Sequence, residues 1–367
     1  MIAPLGSIID DHRVVVCVGT GGVGKTTSAA AVALEAAERG RRAVVVTIDP
    51  AKRLADALGL EALGNTPTRI DVGPVDPGFA ETGEMWALML DTKGTFDDLI
   101  ARYAGDDEQA ARIHNNRFYQ NISTAMSGTQ EYMAMEKLYE LYHEERFDLL
   151  VVDTPPSRNA LDFLEAPGML TRLLENRLYR ALMAPGRGVV RAVGAATQAL
   201  VRQLSRIVGT DVVDDALAFF RAFEGMEAGF SQRAQEVRAL LSSDDACFVL
   251  VASPRPDAVE NAKFFAQQLL EGGIEVRALV ANRLHPYSTA ITAAEVAKKQ
   301  RNTSPERSDC WQALLDYQTL AEREANALAE LTEEIGEDVP QARVALLADD
   351  VCDLDGLRQV QAQLFPG

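Results

Sequence analysis

Cysteine is scarce and dispersed in this sequence. Four cysteines, Cys17, Cys247, Cys310 and Cys352, are scattered over 367 residues, with no Cys-x-x-Cys pair. That spacing excludes a zinc ribbon or a thioredoxin-like redox pair as the organising feature. It suits a reduced, cytoplasmic protein. Cations are also in short supply: 36 Lys and Arg stand against 54 Asp and Glu, a formal net charge of −18. A general nucleic-acid surface would be basic, so no nucleic-acid partner is expected. No charged-then-apolar leader opens the sequence, and no apolar run is long enough to cross a bilayer, so no transmembrane segment is expected. No internal repeat is present.

The chain is instead organised around Gly19-Thr20-Gly21-Gly22-Val23-Gly24-Lys25-Thr26-Thr27. An apolar run, Val14 to Val18, precedes it and reads as a buried strand. Thr26 to Arg39 follows and reads as a helix with small residues on one face. Strand, glycine turn, helix is the setting a P-loop requires. Glycines let successive backbone N–H groups turn inward on a phosphate, and the helix N-terminus adds partial positive charge. ATP phosphates are therefore expected on Gly21, Gly22, Val23, Gly24, Lys25, Thr26 and Thr27. Lys25 reaches the β- and γ-phosphates and takes part in catalysis, and the Thr26 hydroxyl ligates Mg²⁺. Gly19-x-Gly21-x-x-Gly24 also matches a dinucleotide fingerprint, with Asp49 in the place of a ribose-binding acid. Gly24-Lys25-Thr26 decides against that reading, because a dinucleotide turn has no use for a lysine and a hydroxyl there.

Further strands are expected at Ala43 to Ile48, Trp86 to Leu90, Leu149 to Val152, Phe248 to Ala252, Ala278 to Ala281 and Val344 to Leu347. Helices alternate with them: one from Asp49 to about Leu58, a helical region from Thr95 to Glu144, and a mostly helical stretch from Ser157 to Leu241. Another opens on an Asp257-x-x-Glu260 capping box and closes at Gly272-Gly273, residues 288–338 are polar and helical, and a closing helix starts at Leu354. Residues 1–12 read as a loose leader and 64–84 as a loop. Met135, Leu138, Tyr139 and Tyr142 read as core. This alternation predicts an α/β fold with a doubly wound, mostly parallel sheet and a helical subdomain. The core is expected over 1–94, 145–158 and 246–367, and the helical subdomain over 95–144 and 159–245.

In such sheets the ligand sits at the carboxyl ends of the strands. Four predicted ends carry Gly19, Asp49, Asp153 and Asn282. Asp153 is placed to orient Mg²⁺, and Asp49 to orient or deprotonate an attacking water. Other readings stand beside these. Asp49-Pro50 is an ordinary N-cap and N1 pair, and Asp153-Thr154-Pro155-Pro156 could be a plain turn. Asn282 either caps a turn or reads adenine.

Taken together, these segments resemble the arsenite-pump (ArsA-type) ATPase family, which includes the ATPases that target tail-anchored membrane proteins. Residues 19–27 match its P-loop except at Thr20. Asp49-Pro50-Ala51-Lys52-Arg53-Leu54-Ala55-Asp56 is similar to its switch I, and Asp153-Thr154-Pro155-Pro156-Ser157-Arg158-Asn159-Ala160-Leu161-Asp162 to its switch II. Asn282 matches its adenine-binding asparagine, and Leu346-Leu347-Ala348-Asp349-Asp350-Val351 matches a pattern near its end. The resemblance is nearest to an actinobacterial, anion-transporting ATPase-like branch. It implies a P-loop NTPase of deviant Walker A type that hydrolyses ATP with Mg²⁺ as a dimer. The departures are specific. Thr20 replaces the lysine that crosses to the partner subunit's phosphates, Lys52 and Asn159 replace two histidines, and the zinc-binding and arsenite-binding cysteines are absent. The loss at Thr20 implies a heterodimer with a lysine-bearing paralogue, with a homodimer as the alternative. The resemblance also points to Ala166 to Arg206 as a site for a hydrophobic client. That stretch carries Leu170, Leu174, Leu178 and Leu182 at helical spacing, with seven arginines and one acid, Glu175. It reads either as a helical layer with a solvated basic face or as a dock for an acidic partner or anionic lipid.

Overall fold

A computed structural model describes residues 5–49, 52–73, 83–125, 129–155, 210–222, 225–286, 292–302 and 305–366. The chain divides into two compact units: residues 1–89, 144–161 and 242–367, and residues 90–143 and 162–241.

In chain order the described elements begin with α1 (Ser7–Asp10), β1 (Val14–Val18), α2 (Lys25–Glu38), β2 (Arg42–Thr47), α3 (Arg53–Ala57), β3 (Thr68–Ile70) and β4 (Glu84–Met89). Four helices follow, α4 (Thr92–Tyr103), α5 (Asp107–His114), α6 (Arg117–Ala125) and α7 (Thr129–His143), and then β5 (Leu149–Asp153). Next come α8 (Thr210–Ala222), α9 (Glu227–Leu241), β6 (Ala246–Ala252), α10 (Pro256–Glu271) and β7 (Val276–Leu284). The chain continues with α11 (Ala293–Arg301), α12 (Pro305–Ile335), β8 (Gln341–Ala345) and α13 (Leu354–Leu364).

The first unit is an α/β fold around an eight-stranded sheet in the order β3-β4-β2-β5-β1-β6-β7-β8. Every pairing is parallel except the edge pair β3–β4. The central strands β1 and β5 are buried at every position. Valines dominate β1, and leucines and valines fill β5 up to Asp153, as strands covered on both faces require. Against the sheet, α2 buries Ala29, Ala30, Ala33, Leu34, Ala36 and Ala37. Short side chains let its backbone approach the strands closely.

Several expectations are corrected. Residues 5–12 are not a loose leader: α1 buries Ile8 and Ile9, and the Arg41 guanidinium donates to the Ile9 and His12 carbonyls. A four-residue helix is too short to show a period. The loop expected at 64–84 contains β3, whose three residues form the antiparallel edge. The capping box at Asp257 does not form. Pro256 takes the first helical position with Arg255 as N-cap, and Asp257 pairs with Arg255 at 2.9 Å. A capping box forms instead at Thr292 and Glu295. β8 lies earlier than Val344 to Leu347: Ala342 and Val344 point inward between less buried neighbours, and Leu346, which would continue their face, is 49 % exposed beyond the strand's end.

The second unit is helical in its described part. Phe96 meets Tyr119 edge-on at 5.3 Å, and Tyr119 stacks on Phe219 at 6.0 Å. Met135 and Leu138 are buried as expected, whereas Tyr139 is half-buried beneath the Arg233 guanidinium, 3.9 Å from its ring centroid. On α7, Glu136 is buried with one carboxylate oxygen 3.3 Å from Arg233 of α9 and the other unpartnered. The Ala166 to Arg206 stretch and positions 157–162, including Asn159, lie outside the described residues.

Candidate functional site

Strand register assembles the site. β5 lies between β1 and β2, with Asp153 paired in register with Cys17 on one side and Thr47 on the other. The turn after β1 therefore opens beside the Asp153 carboxylate. Two glycines in that turn are structurally required. Gly24, at φ +97°, caps α2, and a Cβ there would collide with the Asn282 amide nitrogen. A Cβ on Gly19, at φ +149°, would collide with the Val251 carbonyl oxygen. The loop is thus pressed against β6 at Gly19 and against β7 at Gly24, and only a residue without a side chain fits at these points.

Lys25 is only 6 % exposed, and its ammonium donates to the Thr20 carbonyl at 3.0 Å. Burial lowers its pKa; Asp153 and Asp49 oppose that fall, while the nearby Arg53 charge adds to it. Asp153 is buried, and its Oδ2 accepts from the hydroxyls of Thr26 at 2.7 Å and Thr47 at 2.8 Å. Its Oδ1 is buried with no partner. Burial raises the Asp153 pKa, against the pull of the two hydroxyl bonds and Lys25. A buried carboxylate oxygen without a partner is costly in itself. It fits a hard cation taking one protein carboxylate, one hydroxyl and phosphate oxygens, as Mg²⁺ does. Among the described residues no group of three or more His, Cys, Asp or Glu could form an all-protein metal cage. By contrast, burial pushes the Cys17 thiol well above its ordinary range and Cys247 up to about 12, so both strand cysteines stay protonated.

A cleft of about 720 Å³ opens over this floor. Lys25, Thr26, Thr27, Gly22, Gly24, Asp49 and Asn282 line it. Val23 is buried, and its carbonyl accepts from the Asn282 amide at 2.8 Å. Gly21 is exposed at the turn's tip. Asp153 lies beneath, joined to the cleft through Thr26. Asn282 is within β7, not beyond its end, and its Oδ1 accepts from the Arg283 N–H at 2.9 Å. A register shift there coincides with Arg283 at φ +64°, an unusual conformation for a residue with a side chain. One N–H of the Asn282 amide remains for a ligand. Asp49 is not a helix cap: α3 begins at Arg53 with Lys52 in the N-cap position. The Asp49 carboxylate lies 3.5 Å from the Arg53 guanidinium.

Sequence reasoning passed over four residues of this site. Thr47 shares the Asp153 oxygen with Thr26, and only strand register could have placed it there. Arg53 follows Asp49 at i+4, a spacing visible in the sequence. Arg283 and Cys352 also line the cleft. For Arg283 its place beside Asn282 was the available signal; for Cys352 none was. The segment after β8 supplies the opposite wall through Leu346, Leu347, Asp349, Asp350 and Val351.

A parallel sheet with a glycine loop after its central strand, a buried loop lysine and an acid on the adjacent strand defines the P-loop class of nucleoside-triphosphate-binding folds. The chain belongs to the anion-transporting ATPase family, whose profile matches residues 12–365. It is 29 % identical over 317 residues to an uncharacterized protein of Streptomyces coelicolor, covering 84 % of this chain and 71 % of that one. It is 24 % identical over 266 residues to the ATPase get3 of Schizosaccharomyces japonicus, covering 72 % of each. A shorter match to the ATPase get3 of Aspergillus terreus is 29 % identical over 159 residues, 42 % of this chain and 43 % of that one.

Proposed function

We propose that this chain binds ATP with Mg²⁺ and hydrolyses it in the cytoplasm, as one subunit of a dimer that opens and closes with the nucleotide state. The observation that carries this reading is the Asp153 carboxylate, one oxygen held by Thr26 and the other buried without a partner beside the glycine loop. Backbone N–H groups of residues 21–27 hold the phosphates, Lys25 faces the β- and γ-phosphates, and Thr26 and Asp153 hold the metal. The metal supplies charge neutralisation on the phosphate oxygens. Asp49 orients the attacking water, and Asn282 offers its remaining N–H to the base. The partner is a lysine-bearing paralogue, with a second copy of this chain as the alternative, and a hydrophobic or acidic client docks on the helical subdomain. Thr20 favours a second reading: a nucleotide-binding subunit with little hydrolysis of its own until that paralogue completes it.

Calorimetry with ATP and Mg²⁺ tests the binding step. Lys25→Ala removes a buried cation facing two phosphates, and a charge-assisted bond of that kind is worth about 2–3 kcal/mol. The variant is expected to bind ATP more weakly by that amount. Equal affinity in wild type and variant would falsify the P-loop reading.

A further inference from the structure

Three cationic side chains line the cleft among the described residues: Lys25, Arg53 and Arg283. Lys25, assigned above to the β- and γ-phosphates, is buried and donates to the Thr20 carbonyl. Arg283 lies within β7 at the register shift and itself has φ +64°, so its backbone position is set by the irregular strand. Arg53 is placed differently. It is the first residue of α3, its side chain is 58 % exposed, and its guanidinium points at Asp49 Oδ2 from 3.5 Å. Among the described residues Asp49 is its one ion-pair partner. That separation is too long for a charge-assisted hydrogen bond, which runs to about 2.7–2.9 Å. Asp49, 13 % exposed, precedes the helix, and the mostly exposed Arg53 is held to it across 3.5 Å by charge alone. The guanidinium is thus aimed at the carboxylate without being locked to it.

We propose that Arg53 is a catalytic cation supplied in cis, moving from Asp49 to the γ-phosphoryl oxygens of a bound nucleoside triphosphate as charge develops on them. The assignment rests on the hydrolytic reading above. A water oriented by Asp49 stands about 3–3.5 Å from the phosphorus it attacks. A guanidinium already beside that carboxylate reaches the phosphoryl oxygens by side-chain rotation alone, and its planar fork suits two of them at once. In the reaction the water oxygen bonds to the γ-phosphorus. The bond from that phosphorus to the β–γ bridging oxygen breaks, and its electron pair leaves on the diphosphate. The water proton passes to Asp49 and then to phosphate. Arg53 keeps all its protons and makes no covalent bond.

The test measures binding to the full chain by calorimetry in Mg²⁺, with ADP alone and with ADP plus fluoroaluminate, which mimics the transferring phosphoryl group. Wild type, Arg53→Ala, Arg53→Lys and Lys25→Ala are compared, with turnover recorded alongside. Arg53→Ala is expected to bind ADP within about twofold of wild type, because the ground-state product lacks the group that Arg53 contacts. Its affinity for ADP with fluoroaluminate, and its turnover, are expected to fall by at least about 10²-fold, the scale for one preorganised charge-stabilising donor. Arg53→Lys should recover part of both losses. Unchanged fluoroaluminate affinity in Arg53→Ala overturns the proposal and leaves nucleotide binding intact. So does a rise in turnover, which would make the pair a restraint on Asp49. If wild type binds no ADP, or Lys25→Ala binds it as wild type does, the nucleotide reading itself fails and this assignment falls with it.

Discussion

A carboxylate assigned to water is best probed by removing its charge and keeping its shape. Asp49→Asn does that; α3 is not capped by this residue, so the helix keeps its cap and loses only the ion pair to Arg53. ATP affinity is expected to hold while turnover drops by about 10²–10⁴-fold, the usual range for a general base. Steady-state turnover and calorimetry on the same preparation separate the two; equal turnover would leave Asp49 without a role. At this scale the sequence was readable where a residue type is unusual for its position. A lysine after four glycines in six residues and an acid ending an apolar strand are signals of that kind. Thr47 is an ordinary residue in an ordinary place, and only strand register gives it its neighbour. Arg53 stood at i+4 from Asp49 in the sequence, a common spacing that did not single it out.

The helices and strands carry predictions of their own. α1 is four residues long, yet Ile9 is fully buried against the core. Ile9→Ala is expected to cost about 2–4 kcal/mol, as truncation of a buried isoleucine does, measured by urea denaturation. A change below measurement error would mean that the segment is dispensable. The α7–α9 contact gives a pH dependence. Burial pushes Glu136 from 4.5 to about 7; Arg233 and Arg102 pull it down, Glu140 and Glu236 push it up, and burial is the largest influence. Its folded-state pKa lies above the unfolded one. The stability it contributes is therefore complete below about pH 4.5 and lost as pH rises through about 7. At about 1.4 kcal/mol per pH unit, that rise is on the order of 3 kcal/mol at most. Hydrogen exchange in α7 and α9, corrected for its intrinsic pH dependence, should show more protection at pH 5 than at pH 8. Glu136→Gln should abolish the difference. Uniformly apolar strands such as β1 and β5, and the small-residue helix α2, were legible from pattern alone. β3 was missed and β8 was expected about three residues late, because edge strands alternate apolar with polar residues.

At the scale of the whole molecule Thr20 bears on the proposed second subunit. Thr20 gives the loop its carbonyl, which accepts from Lys25, and any residue supplies a carbonyl. Thr20→Lys therefore preserves that contact while adding a charge for a partner's nucleotide. Under the paired-subunit proposal, turnover of the isolated variant should exceed wild type by at least about tenfold. Wild type mixed with a lysine-bearing paralogue should gain similarly, with sedimentation reporting the complex. Full activity in the unmixed wild-type chain would remove the need for a paralogue. The sheet order itself was beyond sequence reading, since alternation of strands and helices names the class but does not say which strands are neighbours.

That order has a consequence for how the protein is made. β1, the strand that carries the glycine loop, has β5 and β6 as its two neighbours. The polypeptide leaves the ribosome N-terminus first, so β1 emerges long before Ala246 to Ala252. At about 5–20 residues per second, translation takes on the order of 10–50 s to deliver its second neighbour. A run of valines waits with both sides unpaired until β5 is made and with one side unpaired until β6 follows, and the glycine turn that β6 presses into shape waits with it. Nascent chains stalled before residue 246 should bind chaperones and fail to retain ATP, and chains stalled after β7 has cleared the exit tunnel should do neither.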